Sequence, residues 1–186
     1  VLLSWVITFL ASAFPLMSLE GLDFTQGFFE SVSGWTTTGL SVIDVSQAHR
    51  MTLLWRSVMQ LAGGAGLAII MLAAITGATG PVLSAAEGRN EQLAPNVRAS
   101  ARLVVRIYAS FVAFGVLAYR LAGMDWFDAV NHAFAALSTG GFSTRSESIG
   151  YWNSPWIEVV SIALMLLGSL NFVTAWVLLR GKFGAF

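Results

Sequence analysis

The sequence predicts an all-α membrane protein built as two tandem helix–pore-loop–helix repeats, and three observations carry that expectation. Charged residues make up only 11% of the 186 positions and hydrophobic residues 56%, against about 25% charged in water-soluble domains. Uncharged stretches at 1–19, 57–86 and 159–179 match the roughly 20 apolar residues that a membrane-crossing helix needs. Residues 21–41 recur at 123–143, an offset of 102 positions, with five identities: Gly21/Gly123, Asp23/Asp125, Thr37/Thr139, Gly39/Gly141 and Ser41/Ser143.

The first outer helix is expected over 1–19. Asp23, a favoured N-cap residue, then opens a short apolar helix over 25–35, too brief to span and therefore read as re-entrant. It leads into the polar turn Thr36-Thr37-Thr38-Gly39-Leu40-Ser41. A second long helix is expected over 53–76, completing a first repeat at 1–76. A hydrophilic connector with Pro81, Glu87, Arg89, Glu91, Pro95 and Arg98 fills 77–101. The second repeat, 102–180, repeats the order: a helix over 103–121, with Arg106 and Arg120 able to snorkel from its ends, a short helix over 127–137, the turn Ser138-Thr139-Gly140-Gly141-Phe142-Ser143, and a helix over 155–179. Asp128, three residues after Asp125, is placed to complete a capping box. In the closing helices the correspondence shifts to 105, aligning Gly63-Gly64 with Gly168-Ser169. Small residues there suit close helix packing in lipid. Residues 181–186 form a tail.

Basic residues gather in the connector and its following helix (Arg89, Arg98, Arg102, Arg106) and in the tail (Arg180, Lys182), while the turn-bearing loops lean acidic through Glu20, Asp23, Glu30, Asp44, Asp125, Asp128, Glu147 and Glu158. By the positive-inside rule, four crossings place connector and tail in the cytoplasm and both turns outside. The expected location is a cell (inner) membrane, multi-pass and surrounded by lipid.

The turns carry the chemistry. A dehydrated cation needs several oxygen dipoles at short range, which backbone carbonyls supply without fixed charge. Pointing consecutive carbonyls one way demands unusual dihedrals, which Gly39, Gly140 and Gly141 tolerate. Hydroxyls of Thr36, Thr37, Thr38, Ser138 and Thr139 add oxygens or brace the bend. Each short helix aims its partially negative C-terminus at the turn. Potassium, large and weakly hydrated, is the expected ion; these residues alone leave sodium open.

The chain resembles the Trk/Ktr/HKT superfamily of potassium transporters, on Phe28-Phe29-Glu30-Ser31-Val32-Ser33-Gly34-Trp35-Thr36-Thr37-Thr38-Gly39 and on Trp55-Arg56-Ser57 through Gln60 to Gly63-Gly64-Ala65-Gly66. In the second copy the resemblance rests on Phe127-Asp128-Ala129, His132-Ala133-Phe134, Ser138-Thr139-Gly140-Gly141-Phe142-Ser143-Thr144, Ser148-Ile149-Gly150-Tyr151 and Met165-Leu166-Leu167-Gly168. It implies a potassium-channel-like repeat, filter positions Thr36, Thr37, Thr38 and Gly39 with Ser138, Thr139, Gly140 and Gly141, a homodimer and a cytosolic nucleotide-binding regulatory subunit. Four such repeats ring one pore in that superfamily. Two are present here, so the chain is expected to be an excerpt, or to need the remaining repeats or a second chain.

Other readings are weaker. There is no cysteine, and the two histidines, His49 and His132, cannot alone make a metal centre. Zero net charge argues against nucleic-acid binding. Gly63 to Gly66 follows no strand and has no adjacent lysine, so packing is favoured over a phosphate loop. Glu30, Asp128 and His132 lack a nucleophile or cofactor fingerprint; polar bracing of the short helices, with Arg56 acting likewise, is preferred to catalysis. Trp152 and Trp156 are expected in an interfacial aromatic belt. No bound cofactor is expected beyond the transported potassium ion.

Overall fold

The computed structural model describes residues 2–76 and 97–169. Among them are six α-helices and no strands: α1 (Leu2–Glu20), α2 (Phe24–Trp35), α3 (Arg50–Thr76), α4 (Val97–Leu121), α5 (Trp126–Leu137) and α6 (Pro155–Ser169), with a 3-10 turn at Ser148–Trp152. α1 packs on α2 and α2 on α3; α4 packs on α5 and α5 on α6. α3 also packs against both α4 and α5, which joins the repeats.

The polarity of this packing is inverted. Glu30, Arg56, Gln60, Asn131 and Ser31 are almost wholly buried, while Ile7, Phe14, Phe114, Trp156, Ile162 and Leu166 are each more than half exposed. A water-soluble fold buries the second group and exposes the first. In a bilayer the apolar outer surface costs nothing, and the polar groups find partners inside. Among the described residues, α1 is the one helix both long and apolar enough to cross a membrane; α6 is apolar but shorter over its described length.

The two short helices start and end alike. Asp23 and Asp125 hold extended dihedrals and accept from the backbone N–H three residues on, Gln26 at 2.8 Å and Asp128 at 3.0 Å. The capping box falls in the first copy rather than the second. There Gln26 returns a bond to the Asp23 N–H at 3.1 Å, whereas the Asp128 carboxylate is drawn away by Thr144 and Arg145.

Two boundaries differ from expectation by more than one residue. α3 starts at Arg50 rather than 53, a turn earlier. α4 starts at Val97, so the end of the expected connector is helical. The rest of the connector, residues 170–179 of the closing helix and the tail lie outside the described residues.

Glycine sets the approach of each closing helix. A Cβ at Gly63 would stand 2.0 Å from the Trp35 carbonyl oxygen, and one at Gly168 would stand 2.3 Å from that of Leu137. The 105-residue correspondence therefore has a structural meaning. In both repeats the last carbonyl of the short helix rests on a bare Cα of the helix that follows.

Candidate ion-coordination site

Each short helix ends in the same bend. At the first, the Thr37 N–H donates to Gly34 O at 3.1 Å and the Thr38 N–H to Ser33 O at 2.9 Å. At the second, Thr139 donates to Ala136 O at 3.1 Å and Gly140 to Ala135 O at 2.9 Å. This paired closure is the Schellman motif, which needs a left-handed residue just past the helix. Thr37 and Thr139 both hold φ of 55°, followed by Gly39 at 80° and Gly141 at 87°.

Left-handed dihedrals at a β-branched residue are a genuine outlier and cost about 1–3 kcal/mol each; such strain clusters at functional sites. Threonine occupies the position where glycine would be unstrained, twice, 102 residues apart. The bend consumes the backbone N–H groups of residues 36–38 and 138–140 on helix carbonyls. Among the described residues, none donates a hydrogen bond to the carbonyls of Thr37, Thr38 and Gly39, or of Thr139, Gly140 and Gly141. Those oxygens carry no hydrogen bond among the described residues, although the Gly140 oxygen rests close to Gly39.

The loops touch. A Cβ on Gly39 would lie 2.0 Å from the Gly140 oxygen. One on Gly140 would lie 2.3–2.6 Å from the Gln60 amide. Gly140 is thus held between the first loop and a side chain of α3. All eight expected positions, Thr36 to Gly39 and Ser138 to Gly141, lie in these two adjoining bends. Gly39 and Gly141 border a shared cavity of about 310 Å³, with Ser41, Arg56, Ser143 and Arg145.

Behind the first bend, both carboxylate oxygens of Glu30 are engaged, by Ser41 Oγ at 2.8 Å and the Val42 N–H at 3.0 Å. Arg56 Nε stands 2.7 Å from Glu30 Oε1, and its guanidinium lies 4.0 Å from the centroid of the Phe142 ring, in the second loop. The Nε proton is not aligned on that oxygen, and Nε and Nη1 have no hydrogen-bond partner among the described residues. Gln60 Oε1 accepts the Phe142 N–H at 3.2 Å, and its Nε2 is likewise without a partner.

Behind the second bend, His132 takes the place of Glu30. Its Nδ1 lies 2.8 Å from the Asp128 carbonyl, which can only accept, so Nδ1 carries the proton. In the neutral ring Nε2 then accepts from Ser143 Oγ at 3.0 Å. His132 and Asp128, four residues apart on one helical face, thus meet through the Asp128 main chain. The Asp128 carboxylate clasps Thr144 Oγ1 at 2.6 Å and Arg145 Nη2 at 2.7 Å. Trp152 packs edge-on against His132 with ring centroids 5.0 Å apart, while Trp156 is 74% exposed.

Gln60, Asn131 and Arg145 were not singled out by role. A signal existed for the first. Thr52, Arg56 and Gln60 recur every four residues along an apolar helix, a polar stripe with one buried face. Asn131 accepts from Ser57 Oγ at 2.7 Å, again joining α3 to the second repeat. Arg145 gave no signal, since its partner lies 17 positions away through a loop.

A family model described as TrkH, cation transport protein, matches residues 1–181. The chain is 36% identical to the Trk system potassium uptake protein TrkG of Escherichia coli K12, covering 98% of this chain and 39% of that one. It is 35% identical to the TrkH of Halomonas elongata, covering 97% and 39%. The crystal structure of the potassium transporter TrkH from Vibrio parahaemolyticus superposes with a TM-score of 0.83 at 28% identity, over 96% of this chain and 37% of that one. The chain therefore spans about two-fifths of the length of these relatives.

Proposed function

The chain belongs to the TrkH family of cation transport proteins, and from that premise we propose that it forms two quadrants of a potassium uptake pore in the cell membrane. The relatives it resembles are potassium uptake proteins by name. The observation that carries the reading is the pair of matched bends in contact, each with strained dihedrals and unclaimed carbonyls. Thr36 to Gly39 and Ser138 to Gly141 are the proposed filter. Their oxygens replace the water that a potassium ion leaves behind.

Two bends make an incomplete ring, and the surface supports completion by others. Phe142 is 3% exposed because Arg56 and Gln60 of α3 cover it, whereas Leu40, its equivalent in the first loop, is 62% exposed. Among the described residues, no closing helix covers the first loop at that point. Further repeats or a second chain supply it in this reading. A homodimer and a cytosolic nucleotide-binding subunit remain part of the proposal through the family resemblance. Both bends open to the outside.

The test is potassium uptake by the complete protein in a host lacking other uptake systems. Gly39→Val, which drives a side chain into the Gly140 carbonyl, should abolish uptake while the protein still reaches the membrane. Undiminished uptake would overturn the assignment. Uptake that follows sodium instead of potassium would reassign the ion and leave the pore in place.

A further inference from the structure

The first loop is braced by a fully buried ion pair; the equivalent positions of the second repeat carry neutral groups, and the ion pair found there, Asp128–Arg145, lies further along the loop with its arginine partly exposed. Glu30 corresponds to His132, and Arg56 corresponds, at the 105-residue spacing, to Ser161, which accepts from Tyr119 Oη at 2.9 Å. Burying two charges is costly, and mere stability is as well served by apolar or neutral groups. Bracing alone does not account for the pair.

Its placement does. Arg56 is 1% exposed and Glu30 fully buried. Arg56 borders the same cavity as Gly39 and Gly141 and lies over Phe142, while Glu30 holds Ser41 and Val42 directly after the first bend. A bare guanidinium there would repel any cation between the bends. A bare carboxylate would hold one.

Resting on the transport reading above, we infer that the Glu30–Arg56 pair is a charge-balancing device that sets how tightly the pore holds its cation, with Arg56 opposing and Glu30 favouring occupancy. The pair touches both loops: Glu30 bonds the first, and Arg56 covers the second. An unbalanced unit charge roughly 10 Å from a bound ion, at an effective dielectric of about 20, alters its affinity about tenfold. The two halves of the pair therefore act with opposite sign.

That sign is the test. Half-saturating potassium for uptake is measured in the complete protein, with membrane abundance checked for each variant. Glu30→Gln should raise it about tenfold; Arg56→Gln should lower it or, where release becomes limiting, lower the maximal rate with it. The double variant Glu30→Gln/Arg56→Gln should return it toward the parent value. Single variants that both weaken affinity, with no recovery in the double, would reduce the pair to a structural brace and overturn the inference. If Arg56→Gln does not accumulate, Arg56→Lys decides. Keeping the charge, it must shift half-saturation less than Glu30→Gln does, and an equal or larger shift overturns the inference as well. A parent protein that takes up no potassium sinks the transport reading instead, an outcome distinct from any of these.

Discussion

The two repeats reach one backbone by different side chains. Ser41 and Ser143 each take the N–H two residues on, from Ile43 at 3.1 Å and Arg145 at 3.0 Å. Each also bonds the side chain seven residues ahead of the repeated threonine, Glu30 in one copy and His132 in the other. The left-handed angles at positions 37 and 139 agree to the degree, and those at 39 and 141 within 7°, from 80° and 87°. The backbone at the bend is shared, while the groups behind it differ in charge and in how much surrounds them. The first loop is held by ions and left open at Leu40. The second is held at Ser143 by the neutral His132 ring and at Thr144 and Arg145 by the Asp128 carboxylate, and it is covered by α3.

Breaking the bends themselves should have the largest effect and should separate the copies. Gly39 and Gly141 share positive φ, so alanine strains either by about 1–2 kcal/mol. Only Gly39 also meets backbone, the Gly140 oxygen, while nothing stands within 4 Å of a Cβ on Gly141. Gly39→Ala should therefore nearly abolish potassium uptake, and Gly141→Ala should only reduce it, by several-fold. Equal losses would mean that the loops do not touch in the assembled pore.

A middle-sized contrast lies in the serines. Ser41→Ala removes a donor from a buried carboxylate, worth about 1.5–3 kcal/mol, whereas Ser143→Ala removes one from a neutral ring, worth about 0.5–1.5 kcal/mol. Thermal unfolding of the detergent-solubilised protein should fall further for the first. The reverse order would show His132 to be the more tightly held group.

The smallest effect concerns the cap of α5. The Asp128 backbone N–H, more than any nearby charge, holds the exposed Asp125 carboxyl below its usual range. Its folded pKa is lowered, so its stabilisation is complete above the ordinary value of about 3.9 and is lost as pH falls through the lower folded value. Asp125→Asn keeps the cap but not the titration. Unfolding temperature below about pH 4 should then fall less steeply in the variant than in the parent, a difference that is absent at neutral pH.

Much of this was readable along the chain. Hydrophobic run lengths mark the helices, and the internal repeat locates both bends and both N-caps. The glycines at 39 and 141 announced positive φ because little else tolerates it. Thr37 and Thr139 did not, since a β-branched residue argues against a left-handed angle and only the closed helix end enforces it. The capping box was assigned to Asp128 by spacing. That reading failed because spacing cannot see Arg145 competing for the same carboxylate. Contacts between repeats, such as Gln60 with Phe142, join positions 82 apart. No local pattern encodes them, although the four-residue polar stripe on α3 marked one side of the contact.

The dependence of the second loop on α3 runs in one direction along the chain. Arg56, Ser57 and Gln60 all precede the groups they hold, Asn131 and Phe142. A ribosome therefore delivers the support before the part that needs it, and the later bend can set against a finished surface as it emerges. A chain permuted to open between the repeats, with the second half made first, would leave that bend waiting for its partner throughout synthesis.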